Sequence, residues 1–193
     1  MSQQDGEKPV DRMKREAGYH AAGMVSDGMV IGLGTGSTTF YAMEHLSGMI
    51  EDGLCIQGVP TSFQTEMLAR QLRIPLTTLS EYPEIDLAID GADQVDPAFR
   101  LIKGRGAAMT REKCVAAAAG GLVIVVDESK CVHALSGTVP LEVIPFAVHP
   151  VILAIRAIGG IPELRNGVRK DGPVITDNGN FILDCSFCEI PDP

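Results

Sequence analysis

Four short apolar or β-branched runs recur along the first two thirds of the chain, and they limit its folding more than any other feature. They are MVIGL at 29–33, CIQGVP at 55–60, DLAID at 86–90 and GLVIVVD at 121–127. Runs of this kind read as strands buried on both faces, which is the signature of a parallel sheet. Helix-length segments stand between them, as crossover connections require. Pro9 starts a helix expected over 9–26, with Ala17, Ala21, Ala22 and Met24 on its buried side. Ser37 or Thr38 starts a second helix reaching about Leu46, and Ser62 caps a third that runs through Leu72. A fourth, 110–119, has Thr110 as its cap and Gly120 and Gly121 as its stop. The alternation predicts an α/β fold, a parallel sheet with helices on both faces.

The pattern changes after about residue 138. LEVIPF reads as a strand, HPVILAIRAIGG as a helix, and two shorter strands follow near 161–168 and 173–186. DNGN at 177–180 is a tight hairpin turn, because Asn and Gly accept positive φ. This βαββ unit predicts a second, smaller α+β domain, with the division at 1–137 and 138–193.

Charge and composition exclude several functions. The net charge of −9 argues against general affinity for nucleic acid or anionic membranes, while a local positive pocket for an anionic substrate remains open. The absence of Trp also disfavours single-strand stacking platforms. No apolar run reaches the roughly 18 residues of a membrane span, and the polar start is not a signal peptide. Five cysteines, an odd number mostly in apolar surroundings, fit reduced intracellular thiols; a cytoplasmic protein is expected. Cys185 and Cys188 spell C-x-x-C, but residues three apart on a strand face opposite ways, so packing is preferred over zinc or redox work. The four histidines show no metal-ligand spacing.

Three stretches carry chemistry. IGLGTGSTTF, 31–40, places a Gly-rich turn between a strand and a helix, where exposed amides and the helix dipole favour an anion. Its G-x-G-x-G spacing is neither a dinucleotide fingerprint nor a Walker A loop. The hydroxyls of Ser37, Thr38 and Thr39 suit a single phosphate, but a close-packed strand–helix turn explains the same glycines. IDGADQVD, 89–96, ends a strand with Asp90 and Asp93, where α/β sheets bind ligands; a solvated turn is the plain alternative. In LIKGRGAAMTREK, Lys103 adjoins the turn Gly104-Arg105-Gly106, and Glu112 lies one turn inside a helix. Glu112 is there either as dipole compensation or as a base on a rigid element, and Lys103 and Arg105 either bind substrate or are solvated.

As an ordered set, GLGTGST (32–38), IDGAD (89–93), IKGRGAAMTREK (102–113), DESK (127–130), VPLEVIP (139–145) and TDNGNFILD (176–184) resemble the ribose-5-phosphate isomerases of the type A family. The resemblance implies a Rossmann-like parallel-sheet domain followed by a ferredoxin-like α+β domain, shortened at its C-terminal side relative to the family. It also implies a homodimer or tetramer. The implied reaction is interconversion of D-ribose 5-phosphate and D-ribulose 5-phosphate in the non-oxidative pentose phosphate pathway, without cofactor or metal. Thr35, Gly36, Ser37 and Thr38 match the family's substrate loop, and Asp90, Gly91, Ala92 and Asp93 its DGAD loop. Lys103, Gly104 and Gly106 match its KGGG loop, with Arg105 in place of a glycine. Glu112 matches the catalytic glutamate, and Lys130 and Lys14 match basic substrate contacts. Asp90, Asp93 and Lys103 join Glu112 as catalytic groups in this reading. The small-molecule partner is a sugar phosphate, with no nucleic acid or membrane. The shortened end leaves an alternative, a sensor that binds a sugar phosphate without turnover.

Overall fold

A computed structural model describes residues 8–188 and 190. In chain order the elements are α1 (Pro9–Ala22), β1 (Val30–Leu33), α2 (Ser37–Glu51), β2 (Gln57–Pro60), α3 (Phe63–Gln71), β3 (Ile85–Gly91), β4 (Gln94–Val95) and β5 (Leu101–Ile102). There follow α4 (Met109–Ala118), β6 (Ala119–Val125), β7 (Gly137–Val143), α5 (Val148–Ala157), β8 (Ile161–Leu164) and β9 (Phe181–Phe187). Backbone contacts group the chain into two compact units, Met1–Gly91 with Arg111–Lys130, and Ala92–Thr110 with Cys131–Pro193. The second unit thus takes in residues 92–110 and 131–137 as well as the segment from 138.

The first unit is the parallel α/β sheet that the apolar runs predict. Its order is β2-β1-β3-β6, with Ile31 beside Gly58, Gly32 beside Ala88 and Ile89 beside Val123. Successive residues of β1 feed opposite layers, as the pleat dictates. Ile31 and Leu33 pack with Ala21 and Ala22 of α1 and Ala42, Met43 and Leu46 of α2. Val30 packs with Val59, Ile85, Ala88 and Val115 of α4. The chain steps from β1 out to β2 on one side, then back across to β3 on the other. The C-terminal ends of β1 and β3 therefore flank a topological switch point, where loops diverge and leave a crevice.

The second unit holds the β4–β5 pair and an antiparallel sheet ordered β7-β9-β8. Val151, Ile152 and Ile155 of α5 lie on Val143, Leu183 and Cys185. Phe146, Leu153, Ile158 and Val168 are exposed on this unit.

Several boundaries differ from the sequence expectation. Helix α1 stops at Ala22 because Gly23 ends it, its N–H bonding back to Tyr19, so Met24 falls out of the helical period and is 45% exposed rather than core. Helix α2 continues to Glu51, since Gly48 meets open space and breaks nothing. Gly120 and Gly121 lie inside β6, which follows α4 without a loop. Met109 rather than Thr110 opens α4. In the second unit Pro145–Ala147 form a 3-10 turn, ending β7 at Val143. DNGN does form the expected turn, with Gly179 at φ +78° and its N–H bonded to Thr176 O. The segment before it is no strand, however. It makes one bridge, Asn166 with Pro173, and then closes on itself through Thr176 and Asn180. The pairs β4 and β5 are two residues each, too short to show any alternation.

Helices α1 and α2 touch through Gly18. A Cβ there would stand 2.7 Å from Ala42 N and 2.9 Å from Thr38 O, both backbone atoms that cannot rotate away. Alanine favours a helix by about 1 kcal/mol over glycine. Gly18→Ala is nevertheless expected to lower stability by about 1–3 kcal/mol, because α2 must shift. Urea unfolding measures the sign; a gain in stability would refute the close approach.

Candidate active site

In the first unit the sequence-chosen residues collect along one edge of the sheet. The glycines of the Gly-rich turn divide the two readings between them. Gly32 is there for packing: a Cβ would reach Val115 Cγ1 at 2.4 Å and Ala88 Cβ at 2.9 Å. Gly34 brings the turn against β3, since a Cβ would come 2.3 Å from Asp90 Oδ1 and 2.6 Å from Ile89 O. Gly36 does something different. Its φ of +144° suits glycine, and a Cβ would meet only Thr39 Oγ1, at 3.8 Å. Gly36 is also the N-cap of α2 and supplies no side-chain cap, which leaves the positive end of the helix dipole at this turn. A cleft of about 450 Å³ lies beside this turn, lined in part by Gly34, Gly36, Ser37 and Gln64.

Thr35 turns its hydroxyl into the protein. Its Oγ1 lies 2.9 Å from Thr61 Oγ1, 2.7 Å from Ser62 Oγ and 3.0 Å from Thr65 Oγ1. With its hydroxyl engaged in this cluster, the backbone is what Thr35 can offer an anion. Thr61 and Thr65 in turn donate to Leu33 O and Gly34 O, at 3.0 and 3.1 Å. This hydroxyl cluster escaped sequence reading, although Thr61, Ser62 and Thr65 stand together in TSFQT. Ser37 is exposed, and Thr38 is buried within the first turn of α2.

Asp90 ends β3 almost fully buried, and its Oδ1 accepts the Gly91 N–H at 2.7 Å. Glu112 is 5% exposed, with Oε2 shielded from water. That burial separates it from the surface carboxylate usual at a helix start. Helix α4 runs down the sheet: Ala119, the residue after it, pairs with Ile85 at the start of β3, whereas Val115 sits over Gly32 and Ala88 in mid-sheet. Glu112 lies one turn before Val115 on the same helix face, roughly 4.5 Å nearer the C-terminal edge. Gly34 lies roughly 6.6 Å beyond Gly32 in the same direction. The buried carboxylate, Asp90 and the Gly-rich turn thus belong to one end of one sheet.

Lys130 stands at that edge too, on a 3-10 turn after β6. Asp127, just before it, accepts the Ser129 N–H at 3.0 Å and the Ser129 hydroxyl. Burial pushes its carboxyl up, but those bonds and the charges of Lys14 and Lys130 outweigh it and hold the carboxyl below its ordinary value. Lys14 of α1 and Lys130 are therefore drawn toward one carboxylate.

The second unit holds the remaining candidates. Ala92 and Asp93 lead into β4, and Asp93 N bonds Ile102 O at 2.8 Å. Asp93 Oδ2 accepts the Arg105 N–H at 3.0 Å, which fastens the turn that follows Lys103. Gly104 is buried at φ +101°, and a Cβ there would strike Met109 Cε at 2.6 Å, so this position requires glycine. Arg105 and Gly106 are exposed, and open space around Gly106 requires nothing of it. The Arg105 side chain leaves the turn through solvent. What the turn uses is the Arg105 peptide, through the N–H that Asp93 accepts.

Glu142 of β7 also went unnoticed in the sequence. Its Oε1 accepts from Thr176 Oγ1 at 2.7 Å, Asn180 Nδ2 at 2.9 Å and Asn178 Nδ2 at 3.1 Å, and its Oε2 accepts the Thr110 N–H at 3.3 Å. Burial raises its carboxyl, and these four donors bring it below the ordinary range. One carboxylate thus shapes the DNGN turn and caps the first turn of α4. Only the motif VPLEVIP hinted at it. Among the described residues no cluster of three His, Cys, Asp or Glu could hold a metal, and no helix is long and apolar enough to cross a membrane.

The lowered Asp127 value sets a pH dependence. A carboxyl lowered in the folded state contributes stability above its unfolded value of about 3.9, lost as pH falls through the folded value. Asp127→Asn is expected to unfold more easily than wild type at pH 7, with the gap closing below about pH 4. Denaturant titrations across that range measure it; a pH-independent gap would contradict the assignment.

Comparison with known proteins places this geometry. The family model described as "Ribose 5-phosphate isomerase A (phosphoriboisomerase A)" matches residues 57–193. A relative named ribose-5-phosphate isomerase A, from Methanoregula boonei, is 66% identical over 184 residues, covering 95% of this chain and 78% of its own. A solved D-ribose-5-phosphate isomerase in complex with phospho-erythronic acid superposes with a TM-score of 0.91 at 48% identity, covering 96% of this chain and 83% of that one. Ribose 5-phosphate isomerase A from Methanocaldococcus jannaschii gives 0.89 at 47% identity, with 94% and 82% covered. With that identity sustained over most of the chain, and a sheet that superposes this closely, the protein belongs to the ribose 5-phosphate isomerase A family.

Proposed function

We propose that this chain interconverts D-ribose 5-phosphate and D-ribulose 5-phosphate, with Glu112 as the base. The observation that carries this reading is the buried Glu112 carboxylate, held by a rigid helix at the sheet edge that bears Asp90 and the Gly-rich turn. The substrate assignment follows from family membership and from the phospho-erythronic acid complex of a relative. Nothing in these comparisons favours a sensor without turnover.

The chemistry moves one proton. Glu112 takes the hydrogen of C2 from the open-chain aldose. The C2–H electron pair forms the C1–C2 double bond of an enediolate, and the carbonyl oxygen at C1 takes up negative charge. Lys103 stabilises that oxyanion. The O2 hydroxyl proton transfers to O1, and Glu112 returns its proton to C1, leaving a ketone at C2. Asp90 and Asp93 bind sugar hydroxyls and assist ring opening. The amides at Gly36, Ser37 and Thr38, with Lys130 and Lys14, hold the phosphate. Binding energy at that remote group orients C1 and C2 against the base.

Glu112→Gln keeps the shape and removes the base. Its kcat is expected to fall roughly 10²- to 10⁴-fold with little change in KM. Ribulose 5-phosphate formation, assayed with a chelator present, measures it; retained turnover would take Glu112 out of the reaction. In D2O the product is expected to carry deuterium at C1, because the carboxyl exchanges its proton with solvent. Deuterium at C1 rules out direct hydride transfer, and its fraction reports how fast the carboxyl exchanges relative to proton return.

A further inference from the structure

The turn that follows Lys103 has little to stiffen it from within, since glycines flank Arg105 on both sides. Its shape is imposed by the Arg105 peptide, which is held at both ends. The N–H goes to Asp93 Oδ2 at 3.0 Å, and the carbonyl accepts from Arg165 Nη1 at 3.0 Å. Arg165, immediately after β8, is itself locked. Its Nε donates to Asp184 Oδ2 at 2.7 Å and its Nη2 to Asp184 Oδ1 at 2.5 Å. Asp184 lies on β9, the central strand of the small sheet. The side chains are 19% and 29% exposed, which shields the pair from much of the screening that weakens surface ion pairs.

We propose that Arg165, oriented by Asp184, is a positioning residue for the isomerisation. It clamps the Arg105 carbonyl, keeps the Arg105 N–H on Asp93, and so fixes the Asp93 carboxylate and the Lys103 backbone in one geometry. The inference rests on the reading of Asp93 and Lys103 as reacting groups. It requires arginine, because a planar guanidinium presents one edge to a carboxylate and a third N–H to the carbonyl, whereas an ammonium holds one geometry less firmly. Neither Arg165 nor Asp184 touches substrate in this scheme.

The test compares Arg165→Met, Arg165→Lys and Asp184→Asn with Lys103→Met, reading kcat, KM, melting temperature and hydrogen exchange at the Arg105 amide. Misplacing a reacting group by about 1 Å costs on the order of 10²-fold. Arg165→Met and Asp184→Asn are expected to lose roughly 10- to 100-fold in kcat with KM changed less than about threefold, and to exchange the Arg105 amide faster. Arg165→Lys is expected to lie between them and wild type, and it serves in place of Arg165→Met should that variant not fold. Wild-type kcat in the Arg165 variants while Lys103→Met is inactive would overturn the proposal. So would a loss of kcat with the Arg105 amide still protected. If Lys103→Met turns over normally, the site reading fails, and amide exchange still reports on the clamp.

Discussion

The site depends on a close approach that glycine makes available at the centre of the sheet. Gly32 lets Val115 settle onto β1, and Gly34 lets the turn after β1 lie against Asp90. A methyl group at either position would overlap an atom at less than 2.5 Å. Without these approaches α4 would ride higher over the sheet, and the carboxylate one turn before Val115 would move away from the edge where Asp90 ends. The packing of the core and the placing of the Glu112 carboxylate are one event, because a single helix face carries Val115 and Glu112.

Within each unit, hydrogen bonds from neighbouring side chains hold the loops that carry candidate residues. Thr35 is tied by three hydroxyls, the Arg105 peptide is gripped at its N–H and its carbonyl, and Thr110 N is capped by Glu142. The fastenings at Arg105 and Thr110 are to backbone groups, which leaves an outward side chain such as that of Arg105 free to vary. They also assign a cost to polar residues outside the chemistry. Removing one partner of a buried network strands the others, at about 1–3 kcal/mol for each unsatisfied group.

Much of the fold was legible in the residues. The strand at GLVIVVD, the helix capped by Ser62, and the parallel sheet all follow from local periodicity and turn chemistry. The misreadings have local causes. Gly48, Gly120 and Gly121 carry the same mark as a helix stop, yet their surroundings tolerate them in a helix or a strand. The segment at 173–176 alternates enough to resemble a strand, but Glu142 draws its end into a turn. Asp90, Asp93, Lys103 and Glu112 were identifiable as candidates from motif and order. Arg165, Asp184 and the Thr61–Thr65 hydroxyls were not, since each acts on a residue between 19 and 60 positions away or is a common residue in an unremarked place.

The sequence by itself determined the alternation of strands and helices, the net acidic charge, and the inventory of groups from which an isomerase could be built. Tertiary structure alone decided which of those groups are buried, which glycines serve close packing and which face open space, and which distant side chains hold the loops still. The division has a physical reason. Periodicity and turn preference act between neighbours in the chain, whereas burial and hydrogen-bond satisfaction depend on whatever folding brings alongside.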